Sequence, residues 1–525
     1  MARRLAYSIL WGVLLAVLAW SGRPALGQTL DDVVRYSGQL PSSGGERMGM
    51  VGAGRNAGYG RFGTLYGNPA GLGWSSQSMV GGGFTVQRAR NETTFRTPNT
   101  TTGSDRVLSD YRLGRLGGVY AFPTVQGAAV IGVSVHQTNA YEQGFDVTGA
   151  NGATSITETF LPNSFGFDDD GNFIINSLES RIAFQAGAID TSSVAFANGD
   201  YPFVQAATPG RVGDQVLQQQ ETIFESGQMN EMSIGGAVAV APRVMVGAGL
   251  NIAFGSYTFE RFYRETDIGD GPLPNDPYFV EGTDLDGFKE LRFEERIDTD
   301  VTGANVRLGV SAALTDGLRT GLLIETPTWY SITEVFGKRM ETTFDCDALG
   351  CTPSGVPGFV NGSLTGREVT YRLTTPWRLG GGVQYSRSGI TVAGDVEFVD
   401  WTQADLSSDN ESFSDLGRQV RALDATVNTR VGAEYDFGVA AVRAGIAYQP
   451  DPRNRSLTDI DGASTDGDRL YLSGGLSYTP TGAFSLHVNW MQERFDDQFQ
   501  SYVGGPTVQE QVRRNRFVLG MTFRF

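Results

Sequence analysis

Apolar and polar side chains alternate with a period of two through the last ten residues. Phe517, Leu519, Met521, Phe523 and Phe525 fall on one face, and Arg516, Gly520, Thr522 and Arg524 on the other. The alternation recurs upstream: Phe484, Leu486, Val488 and Trp490 oppose Ser485, His487 and Asn489; Val427, Val431, Ala433 and Tyr435 oppose Asn428, Arg430 and Glu434; Ile390, Val392, Val396 and Phe398 oppose Asp395 and Glu397. Period two is the signature of a strand, whose successive side chains point to opposite faces. The charges keep to one parity. A barrel strand crossing lipid requires this, because a charge facing the bilayer midplane costs ~2–4 kcal/mol.

Segments of this kind are expected near 78–90, 107–122, 127–141, 229–241, 244–262, 291–314, 319–340, 365–386, 389–402, 425–437, 440–449, 468–480, 483–495 and 512–525. Parity slips around Val301 to Ala304, where Gly303 marks either a bulge or the membrane boundary. Connections alternate between tight turns (123–126, 241–243, 315–318, 386–389, 437–440, 479–482) and long loops (91–106, 142–228, 263–290, 341–364, 403–424, 450–467, 496–511). The predicted fold is therefore all-β, a 14-stranded antiparallel transmembrane β-barrel over 78–525. Its short turns face the periplasm, its long loops face outward, and both termini lie on the periplasmic side.

The start of the chain agrees with export. Arg3 and Arg4 precede an apolar run from Leu5 to Trp20, and Ala25-Leu26-Gly27 follows as a small-residue cleavage site, so 1–27 reads as a signal peptide. The run is too short for a spanning anchor, which needs roughly 20 apolar residues. The longest later apolar stretch, Met232 to Gly255, is interrupted by Pro242 and Arg243 and suits two strands and a turn. With 70 Gly, 31 Phe, 19 Tyr and a mean hydropathy of −0.20, the composition fits a barrel in a Gram-negative outer membrane.

Without Arg3, Arg4 and Arg23, 38 of the 41 Lys and Arg remain against 58 Asp and Glu, a net charge of about −20. Nucleic acid is excluded as a partner. Cys346 and Cys351 are expected to close a small disulfide loop in an oxidising compartment. The acidic turns Asp168–Gly171, Asp284–Gly287 and Asp459–Gly462 lack a full calcium-loop pattern and read as solvated turns, and no metal or other cofactor is expected. A terminal strand ending in Phe525 is the segment expected to engage barrel-assembly machinery, and outer-membrane lipid is the surrounding partner.

Two pieces lie outside the bare barrel. Residues 28–77 interleave glycines with Met48, Met50, Tyr59, Phe62, Leu65, Tyr66, Leu72 and Trp74, which suits a plug folded in the lumen better than a flexible linker. The extracellular insertion 142–228 offers a helix capped by Ser177 and carrying Leu178, Ile182, Ala186 and Ile189. A second helix is expected with Val212, Val216, Ile223 and Phe224.

The motif Asn68-Pro69-Ala70-Gly71-Leu72 just before the first strand resembles the hatch of the FadL/TodX family of outer-membrane transporters for long-chain fatty acids and other hydrophobic compounds. Further similar stretches follow in order: Glu225 to Glu231, Thr375-Pro376-Trp377-Arg378 with Glu397 to Trp401, and Arg430 to Tyr435 with Val442 to Tyr448 and Pro450. Ala57 to Gly63 departs from the family in lacking acidic residues. The resemblance implies a hatch within the barrel, an apolar pocket reached from outside, hatch rearrangement on binding, and passive lateral release of the ligand into the membrane. An apolar molecule has physical reason to prefer that route over a wet pore. Arg47, Arg378, Arg430 and Arg443 are the candidates for a fatty-acid head group, since a guanidinium matches a carboxylate.

A hydrolase reading would need one of only two histidines, His136 or His487. Ser134 and His136 share a strand face, but positions two apart sit ~7 Å from each other, and both histidines are expected in lumen hydrogen-bond networks. The alternative to transport is a barrel of this type serving as a secretion or surface-attachment partner.

Overall fold

The computed structural model describes residues 30–525, apart from 43, 59–61, 98–99, 164, 168–172, 176, 192–202, 208, 210–215, 269–287, 345–358, 409–413, 454–456, 459–463 and 466. The signal segment, Val212, Cys346, Cys351 and the three acidic turns lie outside the described residues.

Fourteen antiparallel wall strands form the barrel. They are β1 Met79–Arg96, β2 Thr101–Ala121, β3 Ala129–Ala140, β4 Leu217–Ala241, β5 Val244–Asp267, β6 Phe288–Ala313, β7 in two halves (Leu318–Glu325 and Trp329–Phe344), β8 in two halves (Phe359–Thr374 and Arg378–Arg387), β9 Ile390–Asp400, β10 Ala425–Asp436, β11 Ala440–Gln449, β12 Arg469–Thr481, β13 Phe484–Gln500 and β14 Thr507–Arg524. Each pairs with its neighbour, and β1 pairs with β14 from Met79↔Arg524 to Phe95↔Val508, closing the sheet without an edge. No described helix is long and apolar enough to cross a membrane.

Parity holds in the membrane band apart from a bulge at Gly114 of β2, across which Leu113 and Leu116 both face outward. Phe517, Leu519, Met521 and Phe523 are 45–55% exposed, whereas Arg516 and Thr522 are buried on the lumen side. β7 and β8 break opposite one another at Pro327 and Pro376, which have no N–H to give the ladder. Thr328 N donating to Thr375 Oγ1 (2.9 Å) and Thr375 N donating to Thr328 O (3.1 Å) stitch the breaks.

Three expectations change, and of the two readings offered at Gly303 the membrane boundary holds. No register shift occurs at Gly303: Val301, Asn305, Arg307 and Ser311 all face inward, and β6 pairs continuously with β5. The apparent slip is an inversion of polarity. Below it apolar residues such as Leu308 and Val310 face lipid; above it the outward positions are Arg292, Glu294 and Arg296, and the inward ones Leu291, Phe293 and Val301. Inverting the polarity is what a barrel must do where its wall leaves lipid for water.

The same cause shortens two loops. β1 and β2 run on through most of 91–106, and β13 and β14 through most of 496–511, because their ladders persist after the lipid-facing pattern stops. In the insertion a helix capped by Ser177 forms as α2 (Leu178–Gln185), but it stops at Ala186, and Ile189 opens a short strand, Ile189–Thr191. The second helix does not form: Ile223 and Phe224 belong to β4, where Leu217, Gln219, Glu221, Ile223 and Glu225 point inward with period two.

The termini also part company. Phe525 N donates to Ser78 O (3.0 Å) at the short-turn end. The first described element, α1 (Leu30–Ser37), lies instead at the loop-bearing end, where Asp31 pairs with Arg453 of the 450–467 connection (2.6 Å). Residues 30–77 then descend inside the barrel to reach β1.

Candidate functional site

Inward-facing glycines make room for this descending segment. A Cβ on Gly309 would stand 1.8 Å from Asn68 Oδ1, on Gly321 2.1 Å from Asn56 O, on Gly247 2.4 Å from Ala70 N and on Gly445 2.4 Å from the Met50 carbonyl carbon. Much of the glycine richness of the wall is therefore clearance for a second chain passage.

Polar groups then fix the segment to the wall. The Asp395 carboxylate accepts from the consecutive N–H groups of Gly54, Arg55 (3.1 Å) and Asn56 (3.0 Å). Beside it Glu397 receives Arg55, Arg378 Nη1 (3.1 Å) and Asn428 Nδ2 (3.0 Å). Asn68 accepts from Ala70 N (3.0 Å), capping the turn Pro69–Trp74, while its Nδ2 reaches Asn56 O (2.7 Å), Val310 O (2.9 Å) and Leu322 O (3.1 Å). The motif residues Pro69, Ala70, Gly71 and Leu72 are buried in that turn.

Two of the four candidate arginines, Arg378 and Arg430, meet at Glu397, and the other two are held elsewhere. Arg430 is buried beside Glu397 (3.5 Å), Arg443 is held by Glu434 and Ser477, and Arg47 donates to Gln384 Oε1 (2.7 Å) and Ala53 O. Arg378 alone among them lines the larger open cavity described next, and it too is bonded, to Glu397 and Ser37 O.

The outer half of the lumen has a different character. Tyr141, Tyr257, Tyr330, Tyr371, Leu373 and Trp401 form a buried chamber, and α1 fills it with Val33 and Tyr36. The Tyr36 ring meets Tyr141 and Tyr257 edge-on at 6.3 and 6.5 Å. Alongside α1 runs a cavity of about 140 Å³, lined by polar groups including Asp31, Arg35, Glu225, Arg378, Arg453 and Arg514. The apolar chamber is thus occupied by the chain itself, and the open space beside it is lined by these charged groups together with apolar ones such as Leu40, Trp401 and Phe495.

A seam interrupts the wall. β2 and β3 pair only from Arg115↔His136 to Ala121↔Val130, and β3 shifts register at Thr138. Above that point Arg112 spans the gap, donating to Gln228 Oε1 (2.9 Å), Glu142 Oε2 (3.2 Å) and Gly227 O (3.3 Å), while Tyr141 N donates to the same Gly227 carbonyl (3.1 Å). Gly227 has φ +116°, and a Cβ there would stand 2.2 Å from Ser256 O. The sequence expectation includes the stretch around Gly227 but neither Arg112 nor the seam, which depends on which strand β2 meets.

The histidines correct another expectation. Ser134 Oγ lies 3.3 Å from His136 Nδ1, because the two side chains lean together across their backbone spacing, and His136 Nε2 is 3.2 Å from Glu231. Ser477 and His487 form a similar set with Glu46, at 2.8 and 3.0 Å. Both serines are buried, in networks that join strands to each other or to the N-terminal segment.

A closed barrel with an apolar outer band and a polar, chain-filled lumen is an outer-membrane β-barrel protein. Its fold is of the FadL type. The structure is similar to that of a Pseudomonas aeruginosa FadL homologue (TM-score 0.51, 13% identity, 93% of this chain and 100% of the other). Also similar are the Pseudomonas putida toluene transporter TodX (TM-score 0.49, 12% identity, 93% and 99%) and the Ralstonia pickettii toluene transporter TbuX (TM-score 0.46, 13% identity, 93% and 99%). No family model and no curated protein matches the sequence.

Proposed function

We propose that this protein passes hydrophobic compounds, long-chain fatty acids foremost, across the outer membrane, with residues 28–77 acting as a hatch. The observation that carries this reading is the aromatic and aliphatic chamber around Val33 and Tyr36, set at the outer end of the lumen above a polar plug. An apolar chamber at that level suits a ligand arriving from outside, and the plug beneath it bars an aqueous leak.

In this reading α1 competes with the ligand. Binding displaces Val33 and Tyr36, the change passes down to the turn held by Asn68, and the ligand leaves sideways at the β2–β3 seam. There side-chain bonds from Arg112 stand in for a backbone ladder, so parting the wall breaks few hydrogen bonds.

The test is equilibrium binding of a labelled long-chain fatty acid and of toluene to the purified folded barrel, with Asn68→Ala as hatch control. Saturable binding altered by the hatch change supports transport. Absence of binding for both compounds transfers the reading to a docking partner in secretion or surface attachment.

A further inference from the structure

On the β13–β14–β1 side the outward face of the wall changes character over a few residues. Val488, Leu519 and Phe84 form an apolar cross-strand row, and Trp490, Phe517 and Val86 form the next, with Tyr111 of β2 beside Val86. Aromatic rings at the upper edge of an apolar band mark the level where lipid meets water. The following outward row is Gln492, Asn515 and Arg88, and the one above it is Arg494, Arg513 and Arg90. All four arginines are exposed, while Glu493, Arg514 and Ala89 between these rows are buried on the lumen side.

Directly opposed positions stand ~4.5–5.5 Å apart at Cβ, and a step of two along a strand is ~7 Å. The four guanidinium groups therefore share one patch of the size of a single phosphorylated headgroup. Like charges set opposite one another destabilise a sheet, and no core packing asks for Arg513 between Arg90 and Arg494. Arg90 is matched by Asp105 (2.8 Å) and Glu92 (3.3 Å). Arg88 and Arg513 make no hydrogen bond or ion pair with the described residues, and Arg494 Nε donates to the neutral Gln492 Oε1 (2.5 Å). Asp496, a step above Arg494 and opposite Gln511, is the next outward acid along β13. Around the rest of the loop-bearing end outward arginines come with carboxylates: Arg264 with Glu290, Arg296 with Asp298 (2.7 Å) and Arg339 with Glu341.

We propose that Arg88, Arg494 and Arg513, with Arg90 beside them, bind the phosphate groups of an anionic glycolipid of the outer leaflet, whose acyl chains lie against Phe84, Phe517 and Trp490. A guanidinium fork matches phosphate oxygens, and the patch sits one and two steps above the ring level, where headgroup phosphates lie. A soluble anion would meet the same charges but gain nothing from the apolar band below. The site faces the membrane and does not depend on what the barrel transports.

The experiment uses the full folded chain in detergent, stripped of co-purifying lipid, and follows binding of purified bisphosphorylated lipid A by native mass spectrometry. Lipid A should bind saturably, at least roughly tenfold more tightly than the same lipid with its phosphates removed, and less tightly as sodium chloride is raised. Inorganic phosphate at the same free concentration should not compete. Arg88→Gln/Arg494→Gln/Arg513→Gln should lose the preference for the phosphorylated lipid, while Arg296→Gln/Arg339→Gln, which removes acid-paired guanidinium groups at the same end, should keep it. Arg513→Gln alone carries the same test should the triple variant not fold. Equal binding of the two lipids, a preference unchanged by the Arg513 substitution, or competition by inorganic phosphate, the mark of a free-anion site, overturns the proposal.

Discussion

Asp395, on the lumen face of β9, accepts the backbone N–H of Asn56 at 3.0 Å and those of the two residues before it. One wall carboxylate thus gathers three donors of a turn that has no strand or helix to satisfy them. The bond is also electrostatic, since Asp395 and Glu397 stand among Arg55, Arg378 and Arg430.

Replacing Asp395 by Asn keeps the shape and removes the charge. Weakening hydrogen bonds to a buried charged acceptor of this kind costs about 1.5–3 kcal/mol. The expected outcome is a lower urea midpoint and trypsin cleavage within residues 30–77 while the barrel stays folded. Unchanged protection would show that the segment is held mainly by its close fit.

That fit makes its own prediction at Gly309. Alanine there would place a Cβ against Asn68 Oδ1, with overpacking worth about 1–3 kcal/mol. Gly309→Ala and Asn68→Ala should therefore each open residues 30–77 to trypsin. The double variant should add little to either, as for neighbours sharing one contact.

At the outer end, Arg453 joins the 450–467 connection to α1 through Asp31. The pair is partly exposed, so its strength is modest, ~0.5–1 kcal/mol. Asp31→Asn should speed hydrogen exchange in α1 roughly two- to fivefold, the same energy read as an opening equilibrium. High salt should produce the same effect in the unaltered protein.

Acid should loosen the insertion. Burial alone would raise the Glu179 carboxyl, but the Lys338 ammonium at 2.8 Å outweighs it, and the group is held below the usual carboxylate range. A depressed folded value means the contribution is complete above the unfolded value of about 4.3 and is lost as pH falls from there through the folded value. Exchange in α2 should rise over that acid window, and Glu179→Gln should remove this pH dependence.

The membrane strands were legible because lipid imposes one rule on every lipid-facing position. The sequence pattern therefore gave Phe517 to Phe523 and Ile390 to Phe398 their correct faces. It became misleading where the rule changes, at Val301 to Ala304, since inverted polarity and a register slip look alike in one dimension. The Asn68 turn was marked by its composition. The β2–β3 seam and the outward arginine patch were not, because both depend on which strands meet, as do the occupants of the outer chamber.

Tyr36 is the residue on which the transport reading turns. Its ring fills space among Tyr141 and Tyr257 that a ligand must take, so a closed α1 lowers apparent affinity by the fraction of time it stays in place. Tyr36→Ala should then bind a labelled long-chain fatty acid more tightly, by about tenfold if the ring accounts for ~1.4 kcal/mol of the closed state. The same substitution should increase exchange in α1. If affinity falls instead, Tyr36 belongs to the binding surface and α1 carries the ligand rather than competing with it.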